Sequence, residues 1–146
     1  MTGENRQLDA KEISVGRLLN DGDYEFVIPE YQRPYAWGVE ETLQLLSDLL
    51  GALERDTDEP YFLGSVVLVK DPSNPRAEVI DGQQRLTTLS LLLSLLRDLA
   101  TDDELRRDIH KLIEEPAVGW EDKAARPRLA LRPRDNQFFF CLLYTS

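Results

Sequence analysis

Cysteine is nearly missing from this chain. Cys141 is the only one in 146 residues, so no disulfide can form within it. Histidine is equally scarce, with His110 alone. Without a Cys/His cluster nothing has zinc-ligand spacing, and neither a Ser-His-Asp nor a Cys-His catalytic set can be assembled. Neither G-x-x-x-x-G-K-[ST] nor G-x-G-x-x-G occurs, which removes the two common glycine-rich phosphate loops. No apolar run approaches the roughly 20 residues that cross a bilayer. The first twelve residues, MTGENRQLDAKE, lack the apolar stretch of a signal peptide. These absences lead to the expectation of a soluble, cytoplasmic protein with no membrane partner. Positive charge is also short. The 17 Lys and Arg against 27 Asp and Glu leave a formal net charge of −10. That balance counts against broad, sequence-independent binding of a DNA backbone, which rests on many Lys and Arg contacts to phosphate. A few local arginines can still hold a small anion.

What is present is ordinary for a globular domain: 42% apolar and 30% charged residues, in a length that supports one modest core. Residues 1–12 read as a flexible polar terminus and residues 13–140 as one domain. Ser14 is placed to cap a short helix over Val15–Asn20. Tyr24–Ile28 is β-branched and aromatic and reads as a strand. Val39, Leu43, Leu46, Leu50 and Leu53 recur at helical spacing, with Glu40 and Glu41 at the positive end and an end near Arg55. Phe62–Val69 reads as a buried strand that returns through KDPSNP into a second strand at Ala77–Ile80. The longest helix runs from Gln84 to about Ala100. Its leucines, from Leu86 to Leu99, cover most of its surface, the mark of a helix central to its domain. Thr101 is expected to cap the next helix, whose stripe is Leu105, Ile109, Leu112 and Ile113. RLALR then reads as a strand, and a last helix begins at Asp135 or Asn136. Strands and helices do not alternate strictly, so a doubly wound parallel sheet is set aside for an α+β domain, a small mixed sheet packed by helices. The final CLLYTS back-translates into the mosaic-end adaptor of transposase-based sequencing libraries. Residues 141–146 are therefore expected to be a sequencing-adaptor scar that truncates the domain near Phe140.

Chemistry concentrates in two stretches. The first is VIDGQQRLTTL, from Val79 to Leu89, where a strand gives way to the long helix. The first N–H groups of a helix have no partner within it, and with the helix dipole they attract a phosphate or carboxylate. Gly82 permits a positive φ and close approach of a ligand. Arg85 adds a planar, permanent charge, Gln83 and Gln84 add amides, and Thr87 and Thr88 add hydroxyls one turn later. Asp81 is placed to hold a metal ion directly or through water. The junction makes sense as an anion cradle. It is equally readable as an Asp-Gly turn in which Asp81 caps the helix and the glutamines face solvent.

The second stretch is IPEYQRPYAW, Ile28–Trp37. Arg33 lies among prolines and loses little freedom on meeting an anion. Tyr31, Tyr35 and Trp37 are expected in the core before they are expected to stack on a base. Arg126, Arg128, Arg132 and Arg134 form a basic run, read as a solvated strand face before a phosphate contact. His110 reads as a surface residue.

IPEYQRPYAW, then YFLGSVVL, then VIDGQQRLTTL, in that order, resemble the N-terminal domain of GmrSD-type, DNA-modification-dependent restriction systems. The resemblance covers about Ile13 to Phe139. It implies a ParB/sulfiredoxin-like fold and a nucleotide site. Asp81, Gly82, Gln83, Gln84 and Arg85 match one family signature, and Ile28, Pro29, Tyr31, Gln32, Arg33, Tyr35 and Trp37 match the other. The implied role is an NTP-binding and hydrolysing sensor domain in phage defence. Asp81, Gln83, Gln84, Arg85 and Arg33 would be catalytic. Gly82, Arg85, Thr87, Thr88, Gln32 and Arg33 would bind the nucleotide, and Asp81 would hold Mg2+. Modified DNA would engage the intact protein, and a C-terminal helical or HNH nuclease domain, or a partner subunit, would cut it. The alternative is a non-catalytic module that binds modified DNA or a partner protein.

Overall fold

The computed structural model describes residues 9–20, 22–32, 36–55, 61–121 and 124–144. The strand-forming residues on either side of the first long helix meet in one sheet. Strand β1 (Glu25–Val27) lies between β3 (Arg76–Asp81) and β6 (Leu129–Ala130), and β2 (Val67–Lys70) completes the edge beside β3. β1 is parallel to both of its neighbours, whereas β2 and β3 form an antiparallel hairpin. The sheet is mixed and the domain is α+β. Register places Phe26 between Ala77 and Leu129, and all three are at most 3% exposed. The hairpin turn is held by Asp71, whose Oδ1 accepts from Ser73 N at 2.9 Å and Ser73 Oγ at 2.8 Å. The backbone bond and then the hydroxyl hold that carboxyl below the usual carboxylate range.

Helix α1 (Val15–Asn20) starts where Ser14 Oγ accepts from Arg17 N at 3.1 Å. Helix α2 (Val39–Glu54) has Leu45 as its buried residue. Helix α3 (Gln83–Leu99) packs against α4 (Asp103–Ile113) and α5 (Pro133–Tyr144). A short ladder of β4 (Glu114–Glu115) and β5 (Arg126–Pro127) closes one side. The core joins Leu19, Phe26, Val79, Leu86, Ile113 and Leu143 across sheet and helices. α5 is helical through Tyr144, and Leu143 is 1% exposed.

A polar network fastens α3, α4 and α5. Arg97 is buried, its Nη2 donates to the Leu143 carbonyl, and its Nη1 lies 3.0 Å from His110 Nδ1. Arginine only donates, so Nδ1 accepts and the ring proton sits on Nε2, 3.2 Å from Glu114 Oε2. The Tyr144 ring packs edge-on against His110, and burial, followed by the Glu114 carboxylate, pushes its phenol well above its usual range. His110 is therefore a surface histidine in part, its side chain 39% exposed, that is also partnered between helices.

Several other expectations change. The strand expected over Phe62–Val69 begins only at Val67, and it is not buried: Phe62 is 77% and Val69 53% exposed. β2 is an edge strand with one neighbour, and Gly64, at φ +129°, breaks the extended run before it. α3 is buried from Leu86 to Ser90, and again at Ser94 and Arg97, but Leu95, Leu96 and Leu99 are exposed on the face turned away from those two residues. The cap of α4 is Asp102, whose Oδ1 accepts from Glu104 N, and not Thr101. α5 starts at Pro133, where proline suits a first helical position. Residues 1–8 of the expected polar terminus lie outside the described residues.

Candidate functional site

β3 ends and α3 begins within one residue. Gly82 makes this possible at φ +93°, a left-handed conformation natural to glycine. Space imposes the same choice, since a Cβ here would lie 3.0 Å from both Ser65 O and Val66 Cγ2. No side chain caps α3. Asp81 is exposed at the end of β3 opposite Val67, so the reading in which Asp81 caps the helix and the glutamines face solvent is overturned.

The glutamines turn toward the other motif. Gln83, 8% exposed, donates from Nε2 to Gln32 Oε1 at 3.1 Å. Gln84 Oε1 accepts from Ala36 N at 2.7 Å and Trp37 N at 3.2 Å. The Gln32 carbonyl also accepts from Arg132 Nη1 at 3.3 Å, and Arg132 is held by Asp135 at 2.8 Å. The start of α3 thus clasps the loop that precedes α2. Thr87 and Thr88 are buried, and their hydroxyls donate to the carbonyls of Gln83 and Gln84 at 2.7 and 2.8 Å. Both hydroxyls bond back along their own helix.

Arg85 leaves α3 on another side. Its guanidinium lies 5.9 Å from the Trp37 ring centroid and directly over Gly64. A Cβ at Gly64 would come within 2.8 Å of Arg85 Cζ. Arg85 Nε is shut off from solvent and has no hydrogen-bond partner among the described residues. The guanidinium borders a cleft of about 530 Å³ whose wall includes Trp37, Glu40, Glu41, Asp48 and Tyr61. Burial, then the Asp48 carboxylate, raises the Tyr61 phenol above its usual value, against a smaller opposing effect of Arg55 and Arg85. The cleft combines aromatic faces, one fixed cation and three carboxylates. Asp81, Gly82, Gln83 and Gln84 are not on its wall.

Residues 15–144 match the family described as GmrSD restriction endonuclease, N-terminal domain. The chain belongs to this family. No curated protein matches it. Membership makes the chain a domain of a restriction endonuclease system.

Within this GmrSD N-terminal domain the structure brings together Gln32 with Gln83, and Trp37 with both Gln84 and Arg85. Arg33, Pro34 and Tyr35 lie outside the described residues. Ile28 is in the core, but Tyr31 is 72% exposed and Trp37 is half-buried against Arg85, so the expectation of core aromatics fails for both. The basic run is not a solvated face: Arg126 pairs with Glu115 at 3.0 Å, and buried Arg128 donates from Nε to Lys111 O at 2.6 Å. Among the described residues, no three His, Cys, Asp or Glu side chains gather as a metal site, and no helix is long and apolar enough to cross a membrane. Sequence reasoning missed Gly64, Asp48 and Tyr61. Only Gly64 left a signal, an isolated glycine inside a strand-like run, which marks close backbone approach.

Proposed function

We propose that this GmrSD N-terminal domain binds a nucleoside triphosphate with Mg2+ beside Arg85 and hydrolyses it as the sensing step of a DNA-modification-dependent phage-defence system. The observation that carries this reading is the state of Arg85. Its guanidinium is fixed between Trp37 and Gly64, its Nε is dry and unbonded, and an open cleft lies before it. An unsatisfied buried donor of this kind costs about 1–3 kcal/mol or more, and the part of the guanidinium that borders the cleft is the part a phosphate oxygen can reach. The cleft volume falls within the range of small-molecule sites, about 300–1,000 Å³. Trp37 and Tyr61 offer faces for a base. Carboxylates at Glu40, Glu41 and Asp48 repel a bare triphosphate and favour one that carries a cation.

Mg2+ keeps several waters, so Asp81, which does not line the cleft, would hold it through one of those waters, and the ion would supply charge neutralisation on the phosphates. Arg85 would hold the transferred group from the cleft wall, with Gly82 behind it at the turn into α3, and Arg85 and Arg33 would neutralise charge on its oxygens. Gln83 or Gln84 orients the attacking water. Both also hold the loop before α2, which couples nucleotide binding to the position of that loop. Thr87 and Thr88 support the site through the helix, and Gln32 through Gln83. DNA cleavage and contact with modified DNA belong to a nuclease domain or partner subunit.

The test is calorimetry with each NTP and Mg2+ on the wild type and Arg85→Ala. Loss of a charged hydrogen bond to phosphate weakens binding about 10- to 100-fold. Equal binding by both proteins, or none by either, overturns the reading. Phosphate release is then measured with and without modified DNA, and DNA binding without turnover would establish the non-catalytic module instead. The internal pairing of Arg126 and Arg132 removes support from that alternative.

A further inference from the structure

α2 carries a second pattern that the Arg85 cleft does not use. Val39, Leu43, Leu46, Leu50 and Leu53 follow one another at steps of four, three, four and three residues. That spacing averages 3.5, the period of a coiled-coil seam, and over two heptads it makes one continuous apolar stripe along the helix. The described residues leave most of it open: Val39 is 74%, Leu43 57%, Leu50 58% and Leu53 76% exposed, and Leu46 is half-buried. Leu45, on another flank of α2, is the residue that anchors the helix at 6% exposure. α2 therefore has one face for its own domain and one seam, about 21 Å from Val39 to Leu53, turned outward.

We propose that this seam docks a single amphipathic helix of a partner, with apolar residues at the same spacing and Lys or Arg flanking them. The charges choose the occupant. α2 contains Glu40, Glu41, Asp48 and Glu54 and no Lys or Arg. Glu40 and Glu54 immediately follow the seam residues Val39 and Leu53, the position that faces across a two-stranded coil and selects the partner by charge. A second copy of the chain brings the same carboxylates without a cation, and an antiparallel self-pair opposes Glu40 to Glu54. A chain of net charge −10 is also repelled by an anionic bilayer. A basic heptad helix satisfies both the apolar seam and its acidic border.

The test uses the full chain and two synthetic 21-residue peptides with leucine along the seam, one with Lys at the flanking positions and one with Glu. Fluorescence anisotropy follows each labelled peptide. The expected result is binding of the Lys peptide at least about tenfold tighter than the Glu peptide at low salt, with the gap narrowing as salt rises. The variant Leu43→Gln/Leu50→Gln is expected to lose at least about tenfold in affinity for the Lys peptide. Both positions are exposed, glutamine is a comparable helix former, and neither residue lines the Arg85 cleft. Unchanged melting and unchanged nucleotide binding by this variant separate the seam from the nucleotide reading. No binding of the Lys peptide, or binding that survives the double substitution, overturns the proposal. So does sedimentation equilibrium showing self-association through the seam, or capture by lipid vesicles in preference to the peptide.

Discussion

At the scale of single residues, two glycines and a glutamine decide the site. Gly64→Ala would place a methyl group where the Arg85 guanidinium lies, at a φ of +129°. A side chain in that backbone region costs about 1–3 kcal/mol, and the guanidinium must move as well. The expected outcome is a lower denaturation midpoint together with a loss of nucleotide binding as large as that of Arg85→Ala. Gly82→Ala meets the Ser65 carbonyl at 3.0 Å, and backbone yields less readily than a side-chain tip. It is expected to be at least as destabilising as Gly64→Ala in chemical denaturation. Gln84→Ala removes one oxygen that serves two backbone amides. Faster hydrogen exchange at Ala36 and Trp37 is the expected signature, and unchanged exchange there would show that the clasp holds nothing. Gly82 was legible in the sequence because a strand and a helix met at an Asp-Gly step. Asp48 and Tyr61 were not, since nothing local marks two residues brought to one cleft from different elements.

At the scale of elements, the helices were the most legible parts. Periodicity found α2, α3 and α4 to within a residue or two of their ends, because long amphipathic runs carry redundant signals. The edge strand was misjudged because FLGSVVLV has the composition of a buried strand, and only topology reveals that it has a single neighbour. The junction of α3, α4 and α5 makes a pH-dependent prediction. The Tyr144 phenol has a folded pKa above its unfolded value of about 10. The folded chain therefore holds that proton longer than the unfolded chain. Stability is unaffected by this group below the unfolded pKa, and falls as pH rises above it, because the unfolded chain ionises first. Denaturation measured from neutral to strongly alkaline pH should decline more steeply for the wild type than for Tyr144→Phe. Parallel declines would place Tyr144 outside the network. At the acid end Asp71, with its lowered pKa, contributes stability that is lost as pH falls below the usual carboxylate value.

At the scale of the whole molecule, the α+β class followed from element order, but the sheet order did not. β1 pairs in parallel with β3 and β6, which lie roughly 50 and 100 residues away, and no local signal encodes such a choice. The acidic balance was legible at once and sets a global expectation. Duplex DNA, modified or not, should show no steeply salt-dependent binding to this chain alone at physiological ionic strength, as read by anisotropy over a salt series. A log–log slope corresponding to many released counterions would contradict it.

The clasp between Gln84 and the backbone of Ala36 and Trp37 also bears on how such domains can be recombined. The two signature stretches behave as lock and key within one chain, because neither the loop nor the helix start is complete without the other. A chimaera that imports only one of them from a relative inherits a mismatched latch, while one that transfers the pair together carries a self-contained part.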